Sequence, residues 1–317
     1  MAYYRHQLPQ LSDHILITDG GLETVLLFQQ GWDLPDFAAF TLLDRPLGTE
    51  ALHNYFDTYG KLAQDYGVGL VLESPTWRAN ADWGMRQGYG AAALADINRR
   101  AIALMQLTRA TYNTSHTPIV ISGCIGPRGD GYSASQLMSV QEAEQYHQTQ
   151  IQTFKNTAAD LVSALTMTYP DEAIGIALAA RKIDMPVVIS FTVETDGSLP
   201  DGTRLQDAIA AVDAATDSAP AYYMINCAHP IHFDRTIINQ EPWVKRIRGI
   251  RANASMMSHA ELDEAETLDA GNPRDLGERF YILKQQLPHL SVLGGCCGTD
   301  HRHIEAICQT CGPVLVD

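Results

Sequence analysis

Three cysteines carry the strongest chemical signal in this sequence. Asn226-Cys227 is one element of it, and the run Gly294-Gly295-Cys296-Cys297-Gly298-Thr299, starting close to 69 residues later, supplies two adjacent thiols. Three thiolates around one ion match a zinc site whose fourth position is open, the arrangement of catalytic rather than structural zinc. Such a site carries net negative charge, so the metal is a poor Lewis acid for hydrolysis, while a soft sulfur ligand still suits the open place. A thiol substrate fits it. A free alkyl thiol has a pKa of about 8.5, and zinc coordination holds it as the thiolate, the nucleophilic form, at neutral pH. That chemistry needs an electrophile, and a methyl group on a sulfonium or ammonium donor is one. The alternative is that Cys227, Cys296 and Cys297 are small buried packing residues, since free cysteine is among the most buried types. Cys308-x-x-Cys311 has no second pair at a metal-site spacing, and it reads with Cys124 as packing.

The metal reading requires that the three thiols share one rim, which depends on the elements that carry them. Short β-rich runs alternate with amphipathic stretches along the chain. The runs are 15–19, 68–73, 118–123, 160–165, 187–193, 222–226, 247–253 and 291–295. The first helical pattern is the clearest: Leu52, Tyr55, Phe56, Tyr59, Leu62, Ala63 and Tyr66 form one apolar stripe, with Thr49 as the expected N-cap and Gly67 as the stop. Further patterns lie near 94–112, 140–154, 171–183, 203–216, 233–240, 274–286 and 301–309. His147 sits on the apolar face of its helix and is expected to be a hydrogen-bonded packing residue. Strands separated by helices pair in parallel through right-handed crossovers, and eight such units close a (β/α)8 TIM barrel. A single barrel over 1–317 therefore replaces the two-domain prior that about 150 residues per domain would give. In this barrel class the active site lies at the C-terminal ends of the strands, where Cys227 and the Cys296-Cys297 pair both fall. Neighbours in an extended strand face opposite ways, so the pair can share an ion only if the backbone leaves β geometry. Gly294, Gly295 and Gly298 permit that.

Composition narrows the partners. Lys and Arg number 22 against 37 Asp and Glu, a net charge of −15, and nucleic acid is excluded because a phosphate backbone needs a basic face. Hydrophobic residues at 45% and charged residues at 19% provide a sizeable core and argue against disorder. No apolar run approaches the roughly 18 residues of a membrane helix, and the first residues lack a secretory pattern, so a cytoplasmic setting with reduced thiols is expected. The expected partners are a small-molecule thiol acceptor and a methyl donor.

Four segments together resemble the homocysteine S-methyltransferase family: Ile17-Thr-Asp19-Gly20-Gly21-Leu-Glu-Thr24, Gly123-Cys-Ile-Gly126-Pro127, Asn226-Cys227 and Gly294-Gly295-Cys296-Cys297-Gly298-Thr299. The resemblance runs from Asp19 to the last helix. It implies a (β/α)8 barrel, Zn2+ held by Cys227, Cys296 and Cys297, and methyl transfer to a thiol or selenol amino acid such as homocysteine, giving methionine. It also implies that Asp19 and the backbone of Gly20 and Gly21 lie near the amino-acid part of the substrate; a tight turn alone also explains the glycines. The donors it implies for a barrel of this length are S-methylmethionine or S-adenosylmethionine. Betaine-dependent relatives carry a C-terminal extension, and folate- and cobalamin-dependent ones need further modules.

The departures from the family pattern concern the substrate. After strand four the family carries Glu-Thr, whose carboxylate receives the α-amino group, and the matching residues here are Leu165-Thr166. Leucine accepts no hydrogen bond. Glu73 and Arg78, after strand two, are expected to take the ammonium and the carboxylate, or else to form a structural ion pair with each other. Glu194 is a second candidate for the missing carboxylate, and Asn253 keeps an asparagine position after strand seven. His259 and Glu261 read equally well as cap and surface residues. The alternatives are a zinc barrel acting on a different thiol and a catalytically silent zinc-binding homologue.

Overall fold

The alternating runs form eight parallel strands in a computed structural model that describes residues 1–12, 14–135, 137–238 and 241–312. The strands are β1 (Leu16–Ile17), β2 (Gly69–Glu73), β3 (Ile119–Ile125), β4 (Leu161–Met167), β5 (Val187–Phe191), β6 (Tyr222–Asn226), β7 (Ile247–Ala252) and β8 (Val292–Gly295). They pair in sequence order, and β8 pairs with β1 to close the barrel. Eight helices follow them in turn: α1 (Pro46–Asp65), α2 (Ala91–Tyr112), α3 (Val140–Lys155), α4 (Pro170–Lys182), α5 (Leu205–Thr216), α6 (Asp234–Ile237), α7 (Pro273–Gln286) and α8 (His301–Cys311). The expected (β/α)8 TIM barrel is therefore what the chain forms. Among the described residues no helix is long and apolar enough to cross a membrane.

Local differences from the sequence expectations have simple causes. The helix expected from Thr49 begins a turn earlier at Pro46, whose fixed φ suits a first helical position, and Thr49 Oγ1 instead donates to the Leu43 carbonyl at 3.1 Å. Gly67 does stop that helix, at φ 61. The pattern near 233–240 forms only the single turn α6, and residues 239 and 240 lie outside the described residues. His147 packs as expected, with its Nε2 2.9 Å from Glu172 Oε1.

Side-chain alternation divides the core in two. Leu70 and Leu72 face the helices while Val71 faces the barrel axis; Ile119 and Ile121 face out while Val120 faces in. The inner cluster includes Leu8, Leu16, Val71, Val120, Leu161, Val188, Tyr222, Met224 and Val292. The N-terminal segment closes the lower end: Gln10 Nε2 meets the Tyr222 hydroxyl at 3.3 Å, and Ser291 Oγ donates to the Gln10 carbonyl at 2.7 Å. The same two-residue period carried up the strands brings Glu73, Cys124, Leu165, Asn226 and Arg251 to the open C-terminal end.

Candidate active site

A cavity of about 610 Å³ opens at the C-terminal ends of the strands. Its lining includes Asp19, Gly20, Gly21, Glu73, Arg78, Thr166, Asn226, Cys227, Cys296 and Cys297. Glu194 and Asn253, also candidates, do not line it and stand behind it. Seven carboxylates face this space against two guanidiniums, Arg78 and Arg251. Trp77, Trp83, Phe28, Phe37 and Tyr132 supply aromatic surface among them.

The three cysteines meet on one rim. Their Sγ atoms all lie within 4.8 Å of one another, and Cys227 and Cys297 are 4.0 Å apart. Zinc–sulfur bonds of about 2.3 Å at tetrahedral angles set sulfurs about 3.8 Å apart, so the donor set and its convergence fit a thiolate-bound ion. Cys227 and Cys296 are joined as a disulfide, which departs from the expectation of reduced cysteines serving as metal ligands. The turns that follow β6 and β8 bring the Cα atoms of the two residues to 5.4 Å, a separation that a disulfide spans. Cys124, Cys297, Cys308 and Cys311 are free.

Backbone conformation aims these sulfurs. Cys227 leaves β6 at φ 54, a left-handed conformation that a residue with a Cβ adopts only when its surroundings hold it there. Its N–H donates to the Arg251 carbonyl at 3.1 Å. Its carbonyl accepts from Asn253 Nδ2 at 3.0 Å and from His259 Nε2 at 2.8 Å. Across the barrel Thr166 has φ 64, and Asn226 grips it twice: Oδ1 accepts from the Thr166 N–H and Nδ2 donates to its hydroxyl, both at 2.9 Å. Asn226 Oδ1 also accepts from Ser190 Oγ at 2.6 Å, so one side chain ties the ends of β4, β5 and β6 together. On the other side, the Cys296 carbonyl accepts from both the N–H and hydroxyl of Thr299, at 3.1 and 2.7 Å. That turn passes through Gly298 at φ 78 and takes the adjacent cysteines out of β alternation. Gly21 lies so close that a Cβ there would stand 2.5 Å from the Cys296 carbonyl oxygen.

The polar groups of the interior are arranged around Arg251, which sequence reasoning missed. Its Nη2 lies 2.8 Å from Asp19 Oδ1 as an ion pair, and it donates through Nε to the Gly295 carbonyl and through Nη2 to that of Gly20, at 3.1 and 3.3 Å. Tyr55 completes the Asp19 environment with a 3.1 Å hydrogen bond to Oδ2. Burial pushes the Asp19 carboxyl upward while Arg251 and Tyr55 pull it back. Burial likewise raises Glu73 to about 7, against the opposing pull of Arg251. The sequence signal for Arg251 was available in strand parity, because Gly249 and Arg251 alternate with the outward Ile250.

Glu73 and Arg78 form no ion pair among the described residues. Arg78 is stacked between the indoles of Trp77 and Trp83, at 3.9 and 3.8 Å from their centroids, and Nη1 donates to the Gly129 carbonyl at 3.0 Å. Burial lowers it to about 10. Leu165 lines the cavity as an apolar, buried side chain. Glu194 is held by His259 Nδ1 at 3.1 Å. His259 is therefore no surface residue: it is buried, bridges Glu194 to the Cys227 carbonyl, and stacks on Tyr132 with ring centroids 4.1 Å apart. The Tyr132 hydroxyl lies 3.3 Å from Cys297 Sγ. No periodicity could have found that contact, because Tyr132 sits in the loop after β3. Glu261 does act as a cap, with Oε2 accepting from the Ser258 N–H at 2.8 Å.

Comparison with known proteins agrees with this geometry. A family model described as homocysteine S-methyltransferase matches residues 16–311. The chain is 21% identical to homocysteine S-methyltransferase 3 of Arabidopsis thaliana, covering 92% of this chain and 88% of that protein. It is 23% identical to selenocysteine Se-methyltransferase of Brassica oleracea var. italica, covering 92% and 87%. The fold matches the metallated form of the homocysteine methyltransferase MmuM from Escherichia coli with a TM-score of 0.75 and 19% identity, over 96% of this chain and 98% of that one. The chain belongs to the homocysteine S-methyltransferase family and is a methyltransferase.

Proposed function

We propose that this enzyme transfers a methyl group from a sulfonium donor, S-methylmethionine or S-adenosylmethionine, to a thiol or selenol amino acid such as homocysteine, with Zn2+ as its cofactor. The observation that carries the reading is the convergence of three sulfurs within 4.8 Å at the open end of the barrel. Cys227, Cys296 and Cys297 would hold the ion, and bound there zinc supplies a means of keeping the acceptor's thiol as its thiolate at neutral pH.

The chain's own residues do the rest. Asn226, Asn253 and His259 fix the backbone from which Cys227 points. Leu165 and the stacked indoles exclude water from the walls, and the barrel aligns acceptor sulfur and donor methyl for in-line attack. The new bond forms between acceptor sulfur and methyl carbon. The old carbon–sulfur bond breaks, and its electron pair leaves with the donor sulfur as a neutral thioether, so the transfer step needs no general base.

The surplus of carboxylates around the cavity supports a cationic donor. A cleft lined by one sign of charge concentrates the opposite ion, and aromatic faces add attraction for a cation. Asp19, Gly20, Gly21, Glu73 and Thr166 are the residues proposed to surround the acceptor, with Arg78 also lining the cavity and Glu194 acting through His259.

The test is direct: reduced, zinc-loaded protein is incubated with homocysteine and labelled S-methylmethionine or S-adenosylmethionine, and the product is identified by mass. Labelled methionine is expected. Methylation of another thiol with homocysteine inert would shift the acceptor, and no methylated product from any thiol and donor pair would mark a silent zinc-binding homologue.

A further inference from the structure

Five cavity-lining residues carry a buried side-chain polar atom without a hydrogen bond: Asp19 Oδ1, Glu73 Oε2, Arg78 Nε, Trp83 Nε1 and Arg251 Nη1. Asp19 Oδ1 is ion-paired with Arg251 Nη2, and Arg78 and Trp83 are stacked on one another, which leaves Glu73 Oε2, an acceptor, and Arg251 Nη1, a donor. The two residues are only 4% and 5% exposed. A buried polar atom without a hydrogen bond costs free energy that a suitable ligand recovers. An open acceptor and an open donor in one cavity match a ligand that bears an ammonium and a carboxylate on the same carbon. We propose that Glu73 and Arg251 clamp the amino-acid end of the acceptor, Glu73 Oε2 accepting from its α-ammonium and Arg251 Nη1 donating to its α-carboxylate. This inference rests on the reading of the cavity as the acceptor's site.

Two other charged groups named for the acceptor are already committed. Asp19 is engaged by Arg251 and Tyr55. Arg78 is stacked between Trp77 and Trp83, and the carboxylates whose charge reaches it are Asp130, Glu23 and Asp36 rather than Glu73. Leu165 accepts nothing. Glu73, by contrast, feels Arg251 before any other charge. Arg251 is itself fixed by the Gly20 and Gly295 carbonyls, so the clamp is held rigid before the ligand arrives.

The test is equilibrium binding by calorimetry of L-methionine, its des-amino acid and its descarboxy amine to zinc-loaded protein, a readout independent of turnover. Methionine is expected to bind about ten- to hundredfold tighter than either analogue. The isosteric Glu73→Gln should weaken methionine and the amine by a similar factor and leave the des-amino acid unchanged. Arg251→Lys should do the reverse. Equal binding of all three ligands, equal weakening of all three by Glu73→Gln, or no methionine binding at all would overturn the clamp. The expected pattern without methyl transfer from any donor would instead overturn the proposed reaction and leave the clamp standing.

Discussion

Arg251 Nη2 lies 2.8 Å from Asp19 Oδ1 inside the barrel mouth, so the aspartate that opens the family-like segment is paired with a cation of the chain itself. The relationship changes what Asp19 is expected to do. An aspartate kept free for a substrate ammonium could be neutralised without harm to the fold. One that balances a buried guanidinium cannot, because removing it leaves a charge in a low-dielectric site. Asp19→Asn should therefore destabilise the folded protein by about 3 kcal/mol, the low end of the range for breaking a buried pair, since Glu73 still faces Arg251. Urea unfolding measures this, and an unchanged midpoint would return Asp19 to a purely ligand-facing role.

Glu73 should leave a signature in stability against pH. Its folded-state pKa is raised by burial to about 7 from an ordinary value of 4.5. The folded state then holds the proton more tightly than the unfolded chain, so this contribution to stability is full below about pH 4.5 and is lost as pH rises through about 7. Glu73→Gln mimics the protonated form at every pH. The variant should match the parent near pH 4.5 and exceed it near pH 8 by on the order of 3 kcal/mol. Thermal or urea unfolding of both proteins across that window checks it; Glu23 shifts in the same direction and, being present in both, cancels from the difference.

Cys296→Ala should abolish both bound zinc and thiol methylation. Two thiolates do not complete a three-sulfur donor set, and the disulfide to Cys227 is lost with the same atom. Metal analysis after reduction and dialysis against zinc gives the occupancy. Full occupancy with full activity in this variant would eliminate the tris-thiolate site.

How far the sequence could be read divides along strand geometry. Eight strand and helix units, and the shared rim of Cys227, Cys296 and Cys297, follow from periodicity, because apolar alternation and the glycine run are local features. Arg251 follows from the same alternation but is hidden by its charge, which suggests a surface residue until its partner Asp19 is seen across the barrel. His259 and Tyr132 follow from nothing local: their stacking joins the loop after β3 to the segment after β7, a contact only the folded chain creates. The same holds for Glu194, whose carboxylate meets His259 instead of the cavity.

Asn226 supplies the last prediction, since the left-handed Thr166 and Cys227 meet at it. Its side chain makes three hydrogen bonds, to the Thr166 N–H, the Thr166 hydroxyl and Ser190 Oγ, and all are buried. Truncation leaves those groups without partners and releases the restraint on two backbone conformations that carry a steric cost. Asn226→Ala should cost about 2 to 4 kcal/mol of stability. It should also weaken zinc binding, although Asn226 offers no atom to the proposed cysteine donor set, because Cys227 follows it directly and leaves β6 at φ 54. Competition with a chelator separates the two effects: at a temperature where the variant is folded, a parent-like zinc affinity would show that Cys227 is aimed by Asn253 and His259 alone.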